Sequence, residues 1–256
     1  MVRVLFVGES WSVTEIHVKG FDSFVTSRYE EAGLVLRGAL DRDGFSMTYM
    51  PSQLAVESFP DSVEELSEYD VVLFSDIGSN SLLLPSRVFL QGQTAPNRLD
   101  VIRDWTSAGG GFGMIGGYMS FQGIEGKANY RNTPLADVLP VHMFNGDDRV
   151  ETPQGSRARG SGHWILDGVE GEWPPLLGYQ RLRARAEART IANFEVDPLL
   201  VIGAFGCGRT LAYASDIDTH WAPLQFTTWE GFPIMWRNAV RWLAGEGDLG
   251  LTEDAG

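Results

Sequence analysis

Residues 109–118, with the sequence GGGFGMIGGY, decide the fold class of this chain. Upstream of them, Leu99, Ile102 and Trp105 recur at three-residue steps, which is typical of one face of a helix. The glycine triplet ends this predicted helix, residues 112–115 form a short apolar strand, and a second pair of glycines ends the strand. A helix that leads into a short apolar strand is half of a βαβ unit, so the sequence predicts an α/β fold.

The same alternation of helix and strand extends toward the N-terminus. Residues 29–42 interleave apolar and charged positions, which predicts a helix. Ser62 and Glu65 have the spacing of a capping box, which marks the start of a further helix. Apolar runs predict buried strands at residues 2–7, 45–50 and 70–76. Strands that are apolar on both faces belong in a parallel sheet covered by helices, so we predict a doubly wound parallel sheet.

The middle of the chain departs from this alternation and predicts an added β-rich insertion. Residues 146–162 are polar and rich in glycine. Arg181, Arg183 and Arg185 then alternate with smaller side chains, which places all three on one face of a strand. Such a face is either an anion site or subunit contact, or a solvated edge strand whose charges prevent pairing.

The C-terminal part completes one predicted domain. Apolar runs at residues 199–205 and 210–214, joined by a turn that contains two glycines, predict a hairpin. Pro233 suits the first turn of a closing helix. We expect a single domain over residues 1–245, followed by an acidic tail over residues 246–256.

Composition excludes several classes of function. The chain has 256 residues, 20 Lys and Arg against 34 Asp and Glu, a formal net charge of −14 and one cysteine. The negative charge disfavours nucleic acid and anionic membranes as partners. A single cysteine excludes a disulfide framework and a cysteine-based metal cluster within the chain. The absence of a long apolar run and of a signal-peptide pattern leads us to expect a soluble, cytoplasmic protein.

Polar residues and glycines follow the predicted strands, where ligands of doubly wound sheets bind. The stretch after the first strand is polar and aromatic, and we expect a loop in which Glu9, Trp11 and His17 face His220 across a cleft. The paired glycines 116–117 offer backbone N–H groups to an anion or a carbonyl oxygen, or simply allow a tight turn. The predicted ligand-binding residues are Ser10, Trp11, His17, Asp76, Gly78, Gly116, Gly117, Tyr118, Ser120, Asp216 and Trp221.

The segment that follows the hairpin contains the strongest candidates for chemistry. Asp216, Asp218 and His220 share one side if the strand continues through them, because their spacing is two residues. Two carboxylates and an imidazole can bind a divalent metal or serve as acid, base and orienting group. Alternatively, Asp216 caps a turn and His220 is hydrogen-bonded beneath Trp221. The predicted catalytic residues are His220, Asp218 and Glu9, and no metal site or cofactor is assigned.

Residues 110–123 resemble the family of putative glutamine amidotransferases, a branch of the class I glutamine amidotransferase-like superfamily near the trehalose-utilisation-type proteins. The resemblance implies a flavodoxin-like, class I glutamine amidotransferase-like fold over nearly the whole chain. It also implies a catalytic cysteine at a sharp turn after a strand, but Gly117 stands at that position. The implied histidine matches His220, whereas Ala222 stands where a glutamate is expected. Further matching stretches begin at Ser75, Leu139, Asp147, Leu176 and Ser215.

These observations leave three classes of function. A thioester mechanism needs a thiolate, and Cys207 lies in the predicted hairpin turn, so we expect no glutaminase activity. The first class is a small-molecule enzyme that uses other residues on a sugar-like or carbonyl substrate. The second is an inactive protein that binds a metabolite at the same cleft. The third is a structural, homo-oligomeric scaffold.

Overall fold

The computed structural model describes residues 1–42, 44–160 and 162–251, and its centre is an eight-stranded sheet. The sheet order is β4-β1-β5-β6-β14-β13-β12-β9, in which the first five strands are parallel neighbours and the last three are antiparallel. Three two-stranded sheets, β2-β3, β8-β10 and β7-β11, complete the β structure of the described chain. The strands are β1 Val2–Gly8, β2 Ser10–Lys19, β3 Asp22–Glu31, β4 Phe45–Met50, β5 Val71–Ser75, β6 Gly111–Ile115, β7 Val141–Met143, β8 Arg149–Ser156, β9 Arg159–Gly160, β10 Leu176–Gln180, β11 Leu182–Ala184, β12 Arg189–Asn193, β13 Pro198–Phe205 and β14 Gly208–Tyr213.

Helices connect the parallel strands and cover the sheet. α1 packs against α9, whereas α6 contacts α3, α4 and α7. The predicted α/β fold is therefore confirmed, with the added β-rich insertion between β6 and β13. The α-helices are α1 Leu34–Leu40, α2 Ser52–Ser58, α3 Val63–Leu66, α4 Ser79–Leu83, α5 Ser86–Phe89, α6 Arg98–Ser107, α7 Leu135–Val138, α8 Leu224–Thr227 and α9 Gly231–Leu243, and 3₁₀ turns span Ile124–Gly126, Tyr130–Asn132 and Trp164–Leu166.

The core strands are buried because they have apolar residues on both faces. Every residue of β5 and β6 is buried, and β1 is buried except at Arg3. Gly111 in β6 allows the end of α9 to approach, since a Cβ atom there would lie 2.4 Å from the Leu243 carbonyl oxygen. Close packing of α9 on the central strand therefore explains the glycine at this position.

The predicted helix over residues 29–42 is too long at its N-terminal end. Helix α1 begins only at Leu34, after Gly33 in a left-handed conformation with φ of 71°. The preceding residues belong to β3, which pairs along its whole length with β2. The predicted polar loop after the first strand is therefore wrong, because residues 10–19 form a strand. We call the β2-β3 hairpin the arm.

The three predicted arginines of the insertion do not share one role. Arg185 donates to the carbonyl oxygens of Ala136 and Leu139 at 2.6 and 2.9 Å, at the end of α7. Arg181 precedes β11 and lies 3.7 Å from Asp197, and Arg183 is exposed on the strand. Strand β11 is only three residues long, so one continuous arginine face does not form.

Several local predictions are confirmed. Ser62 accepts a hydrogen bond from the Glu65 N–H at 3.2 Å, although the Glu65 carboxylate accepts from Asp61 instead of Ser62. The antiparallel hairpin of β13 and β14 and the closing helix α9 are present. No helix in the described ranges is long and apolar enough to cross a membrane. Of the predicted acidic tail, residues 252–256 lie outside the described residues.

Candidate functional site

Three carboxylates lie at the carboxyl edge of the parallel strands. Glu9 directly follows β1, Asp76 directly follows β5, and Asp216 follows β14 after two residues. Glu9 and Asp76 have positive φ angles of 49° and 46°. Non-glycine residues rarely adopt this left-handed conformation, and those that do cluster at functional sites. The fold thus places three acidic residues together by topology.

Each of the three carboxylates has defined hydrogen-bond partners. Ser75 Oγ donates to Glu9 Oε1 at 2.5 Å, and the Met119 N–H donates to Asp76 Oδ1 at 2.6 Å. Asp216 Oδ1 accepts from the N–H groups of Ile217 and Asp218. Glu9 is 2% exposed and Asp216 is 5% exposed. Glu9 and Asp216 are therefore almost inaccessible to water, whereas Asp76 is half-buried.

Burial and mutual repulsion raise the pKa values of these carboxyl groups. The pKa of Glu9 lies well above its ordinary value, first because of burial and then because of the negative charges of Asp216 and Asp76. Burial, followed by repulsion from Asp216, raises the pKa of Asp76 to about 6. Burial also raises the pKa of Asp216, although the His220 contact opposes this change. Raised pKa values of this kind bring carboxyl groups closer to neutral pH, where acid–base chemistry takes place.

His220 is the accessible member of the site. Its Nδ1 atom lies 3.4 Å from Asp216 Oδ2, and its side chain is 38% exposed. The imidazole meets the ring of Tyr118 edge-on at 3.9 Å between centroids and stacks on Trp221 at 5.1 Å. With Nδ1 beside Asp216, Nε2 is the nitrogen available to a ligand. A buried carboxylate that orients an imidazole is the arrangement of a general base.

The expected continuation of the strand through residues 216–220 is wrong. Strand β14 ends at Tyr213, and the chain turns because Asp216 accepts hydrogen bonds from the next two backbone N–H groups. The turn brings His220 back to Asp216. Asp218 instead accepts from the N–H groups of Gly33 and Thr219 at 2.8 and 2.6 Å, so it anchors this loop to the start of α1.

The glycine turn after β6 packs tightly against the carboxylates. A Cβ atom on Gly117, whose φ is 141°, would lie 2.9 Å from Asp76 Oδ1. A Cβ atom on Gly116 would lie 2.4 Å from Gln180 Oε1. Gln180 also exchanges hydrogen bonds with the backbone of Gly117, and Ser120 Oγ accepts from the Asp76 N–H at 3.1 Å. The Gly116 N–H donates to the Tyr213 carbonyl oxygen at 2.8 Å, so both predicted backbone donors already bind protein groups and the tight turn is the better interpretation.

Glu151 on β8 forms the rim of the site and was missed by the sequence reasoning. Its carboxylate accepts from the Tyr118 hydroxyl at 3.1 Å and from Trp221 Nε1 at 3.0 Å. The guanidinium of Arg149 lies 4.6 Å from the centroid of the Tyr118 ring. Trp221 can pack here because Gly178 has no side chain, since a Cβ atom there would lie 2.2 Å from the indole nitrogen. The stretch that begins at Asp147 resembles the same family, and it is the sequence signal that could have pointed to Arg149 and Glu151.

The structure separates the remaining predicted residues from this cluster. Ser10 Oγ bonds to Gln53 Oε1 and the Ser52 N–H at the base of the arm, and Trp11 Nε1 donates to Glu30. His17 stacks on Phe24 and lies seven residues beyond Ser10, about 24 Å along the strand.

His17 therefore does not face His220 within one chain, because the predicted loop is an extended arm. Gly78 packs against Met119, where a Cβ atom would lie 2.9 Å from the methyl carbon.

Neither a thiol nor a metal cluster accompanies the carboxylates in the described residues. Cys207 is exposed in the turn before β14, at the opposite end of that strand from Asp216. Across residues 1–42, 44–160 and 162–251, no group of three or more His, Cys, Asp or Glu side chains has an arrangement that could hold a metal ion.

One family model and several solved structures match this chain. The family model described as putative glutamine amidotransferase matches residues 3–245. Cytoplasmic protein STM3548 from Salmonella typhimurium is 44% identical with a TM-score of 0.91, over 94% of this chain and 98% of that one. Cytoplasmic protein STM1381 from Salmonella typhimurium LT2 is 45% identical with a TM-score of 0.91, over 94% and 99%. A ThuA-like protein from Parabacteroides merdae shares the fold, with a TM-score of 0.55 at 12% identity over 95% and 90%. No curated protein matches the chain.

Proposed function

The chain belongs to the putative glutamine amidotransferase family, and we propose that it performs acid–base chemistry on a small molecule without a thiol nucleophile. The site is the carboxyl edge of the sheet. The ligand is sugar-like or bears a carbonyl group. His220 acts as the general base, Asp216 orients it, and the carboxyl groups of Glu9 and Asp76 supply or accept a proton.

The contact between Asp216 and His220 is the observation that carries this proposal. A carboxylate 3.4 Å from Nδ1 favours the tautomer in which Nδ1 bears the proton and Nε2 is free to accept one. Asp216 is nearly inaccessible to water, so the interaction is only weakly screened. His220 is itself exposed enough to meet a ligand.

The rim of the site supports a polyhydroxylated ligand. Tyr118 offers an aromatic ring beside His220, and the Glu151 carboxylate is half-exposed. Aromatic rings pack against the apolar faces of sugars, while carboxylates accept hydrogen bonds from their hydroxyl groups. Arg149, close to both residues, offers further donors.

Glutamine hydrolysis is not the activity we propose. The family's catalytic cysteine matches Gly117, and the space beside that residue holds the Asp76 carboxylate. Cys207 is about 17 Å of strand away from the site, at the other end of β14. We further propose a cytoplasmic location, because the two similar Salmonella proteins are described as cytoplasmic. Neither nucleic acid nor a membrane is a proposed partner, because the net charge is −14.

A thermal-shift screen tests the ligand class. The panel contains glutamine, divalent metal salts, and simple sugars with their keto derivatives. Ligands that bind only the native state raise the unfolding midpoint. We expect sugars or keto sugars to shift the wild type but not His220→Ala. The control is His142→Ala, which removes another exposed histidine, on β7. An unchanged midpoint with every sugar, or an equal shift in His220→Ala, contradicts the proposal.

A further inference from the structure

The arm projects from the sheet edge and is largely exposed. Its strands pair from Ser10 opposite Glu31 to Lys19 opposite Asp22, which gives ten residue pairs. Only Ser10 is buried among its twenty strand residues. At about 3.4 Å per residue, the arm is roughly 34 Å long. Isolated two-stranded ribbons are at best marginally stable in water, so a partner surface is expected to stabilise it.

The two faces of the arm differ in chemistry. Because side chains alternate, one face consists of serine, threonine, aliphatic and tyrosine side chains and has a charge only at its base. Ile16, Val18 and Val25 on this face are 72%, 69% and 61% exposed. We call it the uncharged face. Its residues are Ser10, Ser12, Thr14, Ile16, Val18, Ser23, Val25, Ser27, Tyr29 and Glu31.

The opposite face satisfies its own charges. Arg28 lies 2.7 Å from Glu15 and 2.5 Å from Glu30, and Trp11 Nε1 also donates to Glu30. His17 stacks on Phe24 across the strands. These charges are paired within one chain and exposed to water. Burial of this face would desolvate these ion pairs, so the uncharged face is the better surface for a partner.

The dimensions of the uncharged face fit a second copy of the same face. Two ribbons, each about 34 Å by 10 Å, present roughly 700 Å² in projection, and the accessible area of their side chains is larger. A face-to-face stack therefore approaches the ~1,000 Å² expected of a specific interface. A chain with a net charge of −14 repels its copies elsewhere, but this face brings almost no charge into contact.

The distribution of side chains along the arm favours an antiparallel stack. The aliphatic residues occupy the outer half, whereas Tyr29 and the small hydroxyl residues occupy the inner half. In a two-fold arrangement, the outer half of one arm covers the inner half of the other. Phe21 at the fully exposed tip then lies beside Leu34, which is exposed at the base of the other copy.

We propose that two copies of this chain associate through antiparallel stacking of the uncharged faces of their arms. Closed two-fold symmetry follows, because the same face serves both copies. The arm leaves the fold directly after Glu9, so the contact lies next to the candidate site of each copy. The proposal does not depend on the chemistry of that site.

Sedimentation equilibrium of matched variants tests this interface. We expect a dimer for the wild type and at least ~100-fold weaker association for Val25→Lys, because the stack would bury one unpaired lysine from each copy. Thr26→Lys, one residue away on the opposite face, should remain a dimer. Because Val25 is exposed, we expect the variant to fold, and far-UV circular dichroism checks this expectation. A monomeric wild type, a dimeric Val25→Lys or a monomeric Thr26→Lys overturns the proposal.

Cross-linking gives an independent readout of the geometry. Ser27 lies near the middle of the uncharged face, close to the proposed two-fold axis. In a Cys207→Ser background, Ser27→Cys should form a covalent dimer with a short bismaleimide, and Thr26→Cys should not. Equal cross-linking of the two variants, or of neither, contradicts the antiparallel stack.

Discussion

At the candidate site, the Asp76 carboxylate occupies the space in which a side chain at position 117 would lie. The turn after β6 has no room for a side chain, because a Cβ atom on Gly117 would lie 2.9 Å from Asp76 Oδ1. The Asp76 carboxylate is held there by the Met119 N–H. Gly117 thus leaves the space beside the turn to the Asp76 carboxylate.

Gly117→Cys should destabilise the protein without creating glutaminase activity. The positive φ of 141° and the Asp76 contact together are expected to cost at least ~2 kcal/mol in the free energy of unfolding. Urea denaturation measures this loss. Gly38→Ala, at an open position within α1, is the control and should be neutral or stabilising. A stable Gly117→Cys that releases ammonia from glutamine would contradict the account.

The raised pKa of Asp76 predicts a pH-dependent stability. In the unfolded chain the group titrates near 3.8, and in the native protein near 6. The contribution of Asp76 to the free energy of unfolding is complete below pH 4. As pH rises to about 6, the free energy of unfolding falls by up to about 3 kcal/mol. Asp76→Asn keeps an acceptor for Met119 and does not titrate. Its stability relative to the wild type should therefore increase between pH 4 and pH 8.

Urea denaturation at several pH values measures this difference. Asp70→Asn is a control of opposite sign, because the Arg3 guanidinium lowers the pKa of Asp70. That variant should lose stability relative to the wild type as pH rises from below 4. A stability difference between Asp76→Asn and the wild type that is constant with pH would show that Asp76 does not titrate as described.

At the scale of elements, one buried arginine side chain connects helix α6 to the end of helix α2. Arg98, at the start of α6, is 1% exposed and donates to the carbonyl oxygens of Ala55, Val56 and Glu57 at the end of α2. It also contacts Asp61 at 2.8 Å. One buried guanidinium therefore satisfies the free carbonyls of one helix and fixes it to another.

Arg98→Met should destabilise the protein by about 3 kcal/mol or more, because the partly buried carbonyl groups of Val56 and Glu57 lose their donor and Asp61 loses one of its two arginine partners. Chemical denaturation measures the effect. Arg103→Met on the same helix is the matched control. The Arg103 side chain is 37% exposed and pairs with Asp100 and Asp104 on its own helix, so its loss should cost less than about 1 kcal/mol. Equal effects of the two substitutions would contradict the assigned role of Arg98.

The elements show where sequence reasoning succeeds and where it ends. Buried strands such as β5 are predictable, because a short and continuous apolar run is typical of a strand covered on both faces. The arm was not predictable as a hairpin, since its residues are exposed and alternate hydroxyl, charged and aliphatic side chains. Tyr29 lies in such a pattern, and the sequence predicts a helix there. In the structure Tyr29 is part of a strand, because β3 pairs with β2.

At the scale of the molecule, the sheet topology brings together residues that are far apart in the chain. The predicted edge correctly groups Glu9, Asp76 and Asp216, because parallel strands end on the same side. Glu151 belongs to the site only through the insertion, whose path no local pattern reveals. The contact of His220 with Asp216 also depends on a turn instead of the expected strand. Topology is thus readable from sequence, whereas the packing of loops over the edge is not.

The most direct test of the central claim is exchange of carbon-bound hydrogen in ketoses, measured by proton NMR in heavy water. In this reaction a general base removes a proton next to the carbonyl group, and solvent returns a deuteron to the same carbon. With dihydroxyacetone and fructose as probes, the account predicts exchange by the wild type and by Cys207→Ser, and its loss in His220→Gln. Absence of exchange in the wild type, equal exchange in His220→Gln, or loss of exchange in Cys207→Ser would contradict the claim.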